Sequence, residues 1–228
     1  MRLGYWPEWC GWNFIIQTFK ESTEFFWSRA AVSTYTAGGA FFLGLTSTPI
    51  QVAYYSAAEQ LYKGAQSIFS PLSQALYPHM AKHQNLDLFL KILKSVIILS
   101  ILGLLVGIYV GDFAIELIFG KDFSDCYPVL IIFMITFILT APSTLLGYPF
   151  LGALGNSKAA NLSVILAGLI QVVLLAFCYY ADMRQATNIA VTVLIVELFV
   201  LIYRGWHARK TYKSLLSTHP LSPITENN

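Results

Sequence analysis

Long apolar runs, separated by short polar connections, repeat along this chain. A helix of roughly 20 mostly apolar residues spans the hydrocarbon core of a bilayer. A backbone in hydrocarbon must satisfy its hydrogen bonds within the segment, so each run is predicted to be an α-helix that crosses a membrane. The third run continues as DFAIELIFG into a predicted interfacial turn. The six predicted spans are 25–45, 54–78, about 95–111, 127–152, 161–181 and 186–203.

The second run differs from the others because it carries two charges, Glu59 and Lys63. Their four-residue spacing, with the acid first, favours an ion pair on a helix. Pro71 is predicted to bend this helix near its middle. At about 100° per residue, one helix face is polar along its whole length. We call this face the polar stripe; besides Glu59 it contains Tyr55, Ser56, Tyr62, Lys63, Gln66, Ser67, Ser70, Ser73, Gln74 and Tyr77.

A polar stripe of this length is not expected to face lipid. Each charge near the bilayer centre would cost about 2.5 to 3.5 kcal/mol even on an insertion scale. One alternative is a buried ion pair that only holds helices together. The many Gln, Ser and Tyr side chains favour the other alternative, a hydrated cavity, because so many polar groups are hard to satisfy in a dry seam.

Two further charges lie within predicted spans. Arg29 is one turn inside the first span, where it either extends to the lipid headgroups or binds an anion. Glu197 is near the middle of the sixth span and is expected to pair with a cation or to be protonated. A structural role is slightly favoured for Glu197, and the alternative is ion coupling, for which Glu59 is the other candidate.

The composition agrees with an all-α integral membrane protein. Of the 228 residues, 56% are hydrophobic and only 11% are charged, whereas about 25% of an ordinary soluble domain is charged. A net charge of +2 gives no reason to expect a nucleic-acid partner. The three cysteines and four histidines lack metal-ligand or redox spacing, so we predict no metal, no cofactor and no catalytic residue.

The loop charges predict the orientation. Cytoplasmic loops carry an excess of Lys and Arg, and only Lys121 and Arg184 fall on the side opposite the termini. We therefore predict cytoplasmic termini, with an interfacial segment at 1–24, a six-helix bundle at 25–203, and a basic, then disordered, tail at 204–228. The eleven cations on the side of the termini are Arg2, Lys20, Arg29, Lys82, Lys91, Lys94, Lys158, Arg204, Arg209, Lys210 and Lys213.

The first third of the chain resembles a known family. The run EFFWSRAAVSTYTAGGAFFLGLTSTPIQVAYYSAAEQLYKGAQSIFSPLSQALYPHMAK is similar to bacterial O-antigen and polysaccharide flippases, in the superfamily that also contains the multidrug and toxic-compound exporters. The features that carry the likeness are an FF-S-R helix start, a YY-S-A-E motif and a P-S-A-L-YP motif. They are Phe25, Phe26, Ser28 and Arg29, then Tyr54, Tyr55, Ser56, Ala58 and Glu59, then Pro71, Ser73, Ala75, Leu76, Tyr77 and Pro78.

The resemblance implies a transporter of the bacterial inner membrane, without enzymatic activity. Its cargo would be an undecaprenyl-diphosphate-linked oligosaccharide, such as an O-antigen repeat unit. The resemblance implies a protein built from two six-helix bundles that face a central cavity, and this chain resembles only the C-terminal bundle. It is expected to pair with a separate N-terminal half, to pair with a second copy, or to be an inactive fragment. The cavity-lining residues implied are Arg29, Glu59, Tyr62, Lys63, Gln66, Ser70, Gln74 and Tyr77.

The main alternative is a membrane enzyme that acts on polyprenyl-linked sugars. Such an enzyme would present carboxylates or histidines on substantial loops, and the outer loops here are short. Asp122 and Asp125 form a D-x-x-D pair, which is a weak signal for a metal-diphosphate site and more typical of a solvated turn. Nothing in the sequence resembles an ion-channel selectivity filter.

Overall fold

A computed structural model describes the backbone of residues 11–218. The side chains that it leaves out lie between residues 13 and 35 and between 214 and 218. Arg29, which is predicted to line the cavity, is one of these, so its side chain is outside the described part of the structure. The start of the predicted interfacial segment, 1–10, and the end of the predicted tail, 219–228, also lie outside the described residues.

All six predicted helices are present, and five of them are longer than predicted. The first begins at Trp12, within the segment 1–24 that was predicted to be interfacial, and the second spans Pro49–His83. The stretch DFAIELIFG at 112–120, which was predicted to lead into an interfacial turn, is helical as far as Phe119 and belongs to the third helix, and the sixth helix continues beyond 203 to Thr218. The elements are α1 (Trp12–Thr46), α2 (Pro49–His83), α3 (Leu86–Phe119), a short 3-10 helix (Lys121–Cys126), α4 (Tyr127–Leu145), a π-helical segment (Leu146–Gly152), α5 (Ser157–Tyr180) and α6 (Ala186–Thr218).

Among the described residues, four helices are long and apolar enough to cross a membrane, which makes the chain a multi-pass membrane protein. They are Leu86–Phe119, Lys121–Gly152, Ser157–Tyr180 and Ala186–Lys213. The helix α2 is not among them, and in α1 the described apolar stretch is limited to Thr36–Thr46. Large apolar side chains on the outside of the bundle, such as Leu117 and Val173, are about two-thirds exposed or more. In a bilayer these side chains would contact lipid.

The helix α4 lies at the centre of the bundle and packs against α2, α3 and α6, while α5 packs against α1 and α6. Small residues on α3 allow its close approach to α4. A Cβ on Gly107 would overlap Met134, and a Cβ on Gly111 would lie 3.3 Å from Leu130. Gly103, on the same face of α3, has open space beside it. Close packing against α4 therefore occurs at two of these three glycines.

Two turns at one end of the bundle are tied together by side chains. Ser47, after α1, donates a 2.6 Å hydrogen bond to the carbonyl oxygen of Arg184, before α6. The side chain of Gln51 accepts a 2.7 Å hydrogen bond from the backbone N–H of Ala186, the first residue of α6. The first N–H groups of a helix have no partner within the helix, so Gln51 caps α6 from α2. These contacts fix the start of α6 relative to the polar stripe.

Candidate functional site

Glu59 and Lys63 form the ion pair that their spacing predicts. Lys63 Nζ lies 3.0 Å from Glu59 Oε2. The side chain of Glu59 is 12% exposed and that of Lys63 is 50% exposed. A surface pair of this spacing stabilises a helix by only about 0.2 to 0.5 kcal/mol. Stability alone therefore gives little reason to keep two charges here.

The pair lines a cavity of about 350 Å³ between α2 and the helices α4, α5 and α6. The wall opposite α2 also carries polar and charged groups, so the cavity is polar on both sides. The α2 side consists of Tyr55, Glu59, Tyr62, Lys63, Gln66 and Ser73. The polar groups on the other side are Thr140, Ser143, Thr144, Tyr148, Glu197 and Arg204.

Two tyrosines of the polar stripe are buried and pack against α4. Tyr55 is 1% exposed and lies edge-to-face against Phe133. The Tyr62 ring stacks on Phe133 with 5.1 Å between centroids, and its hydroxyl forms a 2.9 Å hydrogen bond with Thr140 Oγ1. These rings hold α2 against α4 and so fix the direction in which Glu59 and Lys63 point.

Three residues at the far end of the stripe, Ser70, Gln74 and Tyr77, do not line the cavity of the ion pair. Gln74 donates a 3.0 Å hydrogen bond to Ser70 Oγ, and both line a second cavity of about 240 Å³ between α2 and α4. Gln66 and Ser73 line both cavities, so the two adjoin. Tyr77 is 44% exposed, lies near Gly152, and lines neither cavity. The structure thus places Tyr77 outside the group around Glu59.

Arg204, predicted only as a loop cation, is a cavity residue. Its Nε donates a 2.8 Å hydrogen bond to Ser163 Oγ on α5, and its Nη1 donates a 2.9 Å hydrogen bond to the carbonyl oxygen of Ser143 on α4. A guanidinium has five N–H donors. In the described part of the chain, no partner is found for Nη2, which leaves donors for a ligand in the cavity.

The signal for Arg204 was present in the sequence. It follows Glu197 by seven residues, so the two share a helix face if α6 continues. The predicted helix end at 203 placed Arg204 in a loop instead. The observed helix carries it on the cavity side, facing α4 and α5.

Glu197 lies in the cavity wall with 4% of its surface exposed. Among the described side chains, its carboxylate makes no hydrogen bond and no ion pair within 4 Å. Arg204 is the cation with which it interacts electrostatically. A buried carboxylate without a hydrogen-bonded partner is costly to keep charged, so Glu197 is suited to bind a proton or a cation that enters the cavity.

The helix α4 breaks beside Arg204. Gly147 has φ −68° and ψ −120°, which is not helical, and a π-helical segment runs from Leu146 to Gly152. Pro149 contributes to the break because it has no N–H and its ring disfavours a regular helix. A Cβ on Gly147 would lie 3.0 Å from Arg204 Nη1 and 3.2 Å from Cζ. Glycine at this position therefore allows the guanidinium to approach the broken backbone.

The aspartates of the alternative enzyme hypothesis lie away from this cavity. Tyr54 Oη donates a 3.4 Å hydrogen bond to Asp125 Oδ2 and lies 3.3 Å from the carbonyl oxygen of Asp122. Both aspartates are exposed in the turn before α4. Among the described residues, no group of three or more His, Cys, Asp or Glu side chains is arranged to hold a metal ion.

Comparison with known proteins points to one family. The model of a family described as "Polysaccharide biosynthesis protein" matches residues 12–84, which contain α1 and α2 with the polar stripe. Two similar proteins each carry the name "Putative O-antigen transporter". The one from Shigella dysenteriae is 27% identical over 193 residues, or 82% of this chain and 48% of the relative. The one from Escherichia coli (strain K12) is 25% identical over 193 residues, or 81% of this chain and 45% of the relative.

The predicted resemblance to the polysaccharide transporter family is confirmed. This chain spans about half the length of the curated relatives that it matches. No solved structure matches it.

Proposed function

We propose that this chain is the C-terminal half of a transporter that moves lipid-linked oligosaccharide repeat units across the bacterial inner membrane. The relatives named as O-antigen transporters support the cargo class, and their doubled length supports the half assignment. In this proposal α1 and α2 complete six spans, with both termini at the cation-rich, cytoplasmic end. The other half is a separate chain, a second copy, or a further part of the same protein.

The observation that carries the proposal is the charged cavity inside an apolar bundle. Lys63 from α2 and Arg204 from α6 line it together with hydroxyl groups from α4. Burying polar groups inside an apolar bundle costs free energy unless these groups bond to one another, to water or to a substrate. A sugar diphosphate supplies the matching chemistry, because it combines anionic oxygens with many hydroxyls.

Each polar group then has a role in binding. The guanidinium of Arg204, through its free Nη2 donors, and the ammonium of Lys63 bind the diphosphate oxygens. Gln66, Ser73 and Thr144 exchange hydrogen bonds with sugar hydroxyls. Transport makes and breaks no covalent bond, so these residues need only bind the cargo in one orientation of the cavity and release it in the other.

The acidic residues provide a means of coupling transport to an ion gradient. Glu197 has no hydrogen-bonded partner among the described side chains, whereas Glu59 is paired with the half-exposed Lys63. A proton or metal cation that enters the cavity would be held best at Glu197. A cation bound at Glu197 would neutralise this carboxylate, and the positive charge of Arg204 would then be available to the cargo diphosphate.

The proposal is tested in the host by changing the chromosomal gene to encode Lys63→Met or Arg204→Leu. We expect complete lipid-linked repeat units to accumulate on the cytoplasmic face and surface polysaccharide to fall, with the protein still present in the membrane. Lys210→Met is the matched control, because Lys210 is exposed, lies 5.1 Å over the Trp206 ring and does not line the cavity.

The alternatives predict other outcomes. If the chain were an enzyme that builds the lipid-linked sugar, the variants would lack the complete repeat unit instead of accumulating it. If the chain were an inactive fragment, its deletion would leave both the lipid-linked pool and the surface polysaccharide unchanged. Normal surface polysaccharide in both cavity variants would contradict the role given to the cavity.

A further inference from the structure

A second concave surface, unrelated to the polar cavity, lies on the outside of the bundle. It is a groove of about 580 Å³ between the start of α3 and the end of α6, with the π-helical segment as its floor. We call it the α3/α6 groove. Its lining is apolar except at one end, and it consists of Leu86, Phe89, Leu90, Leu93, Leu146, Phe150, Gly205, Ala208, Arg209, Tyr212 and Lys213.

The floor of the groove is apolar and closely packed. Phe89 is 2% exposed and Phe150 is 3% exposed, and their ring centroids are 4.5 Å apart. Leu93 and Ala208 extend this surface along the two helices. The two rings are packed against each other and line the groove from one side.

The two cations occupy one end of the groove. The helix α3 begins at Leu86 and α6 ends at Thr218. The end of the groove near Leu86 and Lys213 is therefore at the surface of the bundle, and the end near Leu93 and Gly205 is deeper. Arg209 and Lys213 lie toward the surface end. An occupant would meet cations at the membrane surface and hydrocarbon below them.

These cations are available to a ligand. Arg209 and Lys213 are exposed, and neither has an ion pair or hydrogen bond among the described residues. Asp87 on α3 follows the groove residue Leu86, but Asp87 is exposed and does not line the groove. Lys210, on the same helix, instead lies over the Trp206 ring. The groove thus has an uncompensated positive end.

We propose that the α3/α6 groove binds an anionic phospholipid of the surrounding leaflet. Its phosphate would contact Arg209 and Lys213, and an acyl chain would lie over Phe89 and Phe150. Basic pockets between helices at a membrane surface bind anionic headgroups, and the volume of the groove falls within the range of about 300 to 1,000 Å³ that is typical of small-molecule and cofactor sites. This inference does not depend on the cargo proposed for the polar cavity.

The test is native mass spectrometry of the purified protein titrated separately with phosphatidylglycerol and phosphatidylcholine. We expect phosphatidylglycerol to bind more tightly to the unmodified protein. In the Arg209→Gln/Lys213→Gln variant this preference should fall by roughly tenfold, because each cation near an anionic headgroup contributes appreciably to binding. Lys210→Gln removes one charge from the same helix outside the groove and should retain the preference.

A second variant tests the apolar part of the groove. Gly205 lines the groove, and a Cβ added there would meet no other atom within 4 Å. Gly205→Leu should therefore place a side chain in the space of the acyl chain without a clash. We expect weaker binding of both phospholipids. Equal phosphatidylglycerol binding by the unmodified protein, the double variant and Gly205→Leu would overturn the proposal.

A third lipid distinguishes the occupant. Undecaprenyl phosphate also joins an anionic head to a hydrocarbon tail, and it represents the tail of the cargo. If undecaprenyl phosphate bound in the groove and phosphatidylglycerol did not, the groove would be a cargo site and the phospholipid proposal would be wrong. If phosphatidylglycerol displaces undecaprenyl phosphate from the unmodified protein, and the Arg209→Gln/Lys213→Gln variant loses this displacement, the result supports the phospholipid proposal.

Discussion

Arg204 on α6 donates a 2.9 Å hydrogen bond to the carbonyl oxygen of Ser143, one turn before α4 breaks at Gly147. In a regular helix this carbonyl would accept from the N–H of the residue four positions later, which is Gly147. The guanidinium therefore supports the backbone where the helical pattern changes. Because Arg204 also lines the polar cavity, a ligand that draws the guanidinium away would remove this support from α4.

The first prediction concerns Gly147→Ala. The new Cβ would lie 3.0 Å from Arg204 Nη1 and 3.2 Å from its Cζ, so the guanidinium would have to move and weaken its hydrogen bond to Ser143. We expect a loss of about 1 to 3 kcal/mol in the free energy of unfolding, measured by thermal or denaturant unfolding in detergent. Gly205→Ala is the control, since open space surrounds Gly205 in the middle of α6. It should leave stability unchanged or raise it by about 0.5 to 1 kcal/mol. Equal effects at the two glycines would contradict this account.

The second prediction concerns the hydroxyl of Tyr62. Tyr62→Phe removes a buried 2.9 Å hydrogen bond to Thr140 while retaining the ring that stacks on Phe133. We expect unfolding to become easier by about 1 kcal/mol. Tyr77→Phe, on the exposed part of the same helix, should change stability by less than about 0.5 kcal/mol. If Tyr62→Phe were as neutral as Tyr77→Phe, the hydrogen bond would have no net stabilising effect.

The third prediction concerns the cap that α2 provides for α6. Gln51→Ala leaves the N–H of Ala186 without its 2.7 Å partner. Loss of a side-chain cap costs about 0.5 to 2 kcal/mol, and we expect amide hydrogen exchange to increase at the start of α6. Gln60→Ala is a matched change at an exposed position of α2 and should leave exchange at α6 unaltered. Unchanged exchange in Gln51→Ala would mean that water or another group caps the helix.

Much of the fold could be predicted from hydrophobic runs because each run folds within itself. The amphipathic pattern of 54–78 also identified Glu59 and Lys63 as a pair on one face, and they are 3.0 Å apart. The groups opposite them could not be identified in this way, because they depend on contacts between distant helices. Arg204 was missed for a local reason: the charged residues after Tyr203 suggested a helix end, whereas α6 continues.

The position of the break in α4 also could not be predicted from the sequence. Three prolines in 127–152 indicate that this span is irregular. They do not locate the break, since α4 remains helical through Pro142 and changes only at Leu146. The position is explained by Gly147, whose lack of a side chain admits Arg204 from α6. A contact between two residues this far apart along the chain has no signature in the local sequence.

The last prediction separates a hydrated cavity from a dry packing seam, the two alternatives for the polar stripe. Single cysteines are introduced at Ser73, which lines both cavities, and at Ile68, which is 72% exposed on the apolar side of α2. The background lacks the native cysteines Cys10, Cys126 and Cys178. Maleimides react with the thiolate, which forms readily only where water reaches it. In membranes we expect a charged, water-soluble maleimide to label Ser73→Cys at least about tenfold faster than Ile68→Cys. Slow labelling at both positions would favour the dry seam, and faster labelling at Ile68→Cys would mean that the stripe, and not its opposite side, faces the apolar surroundings.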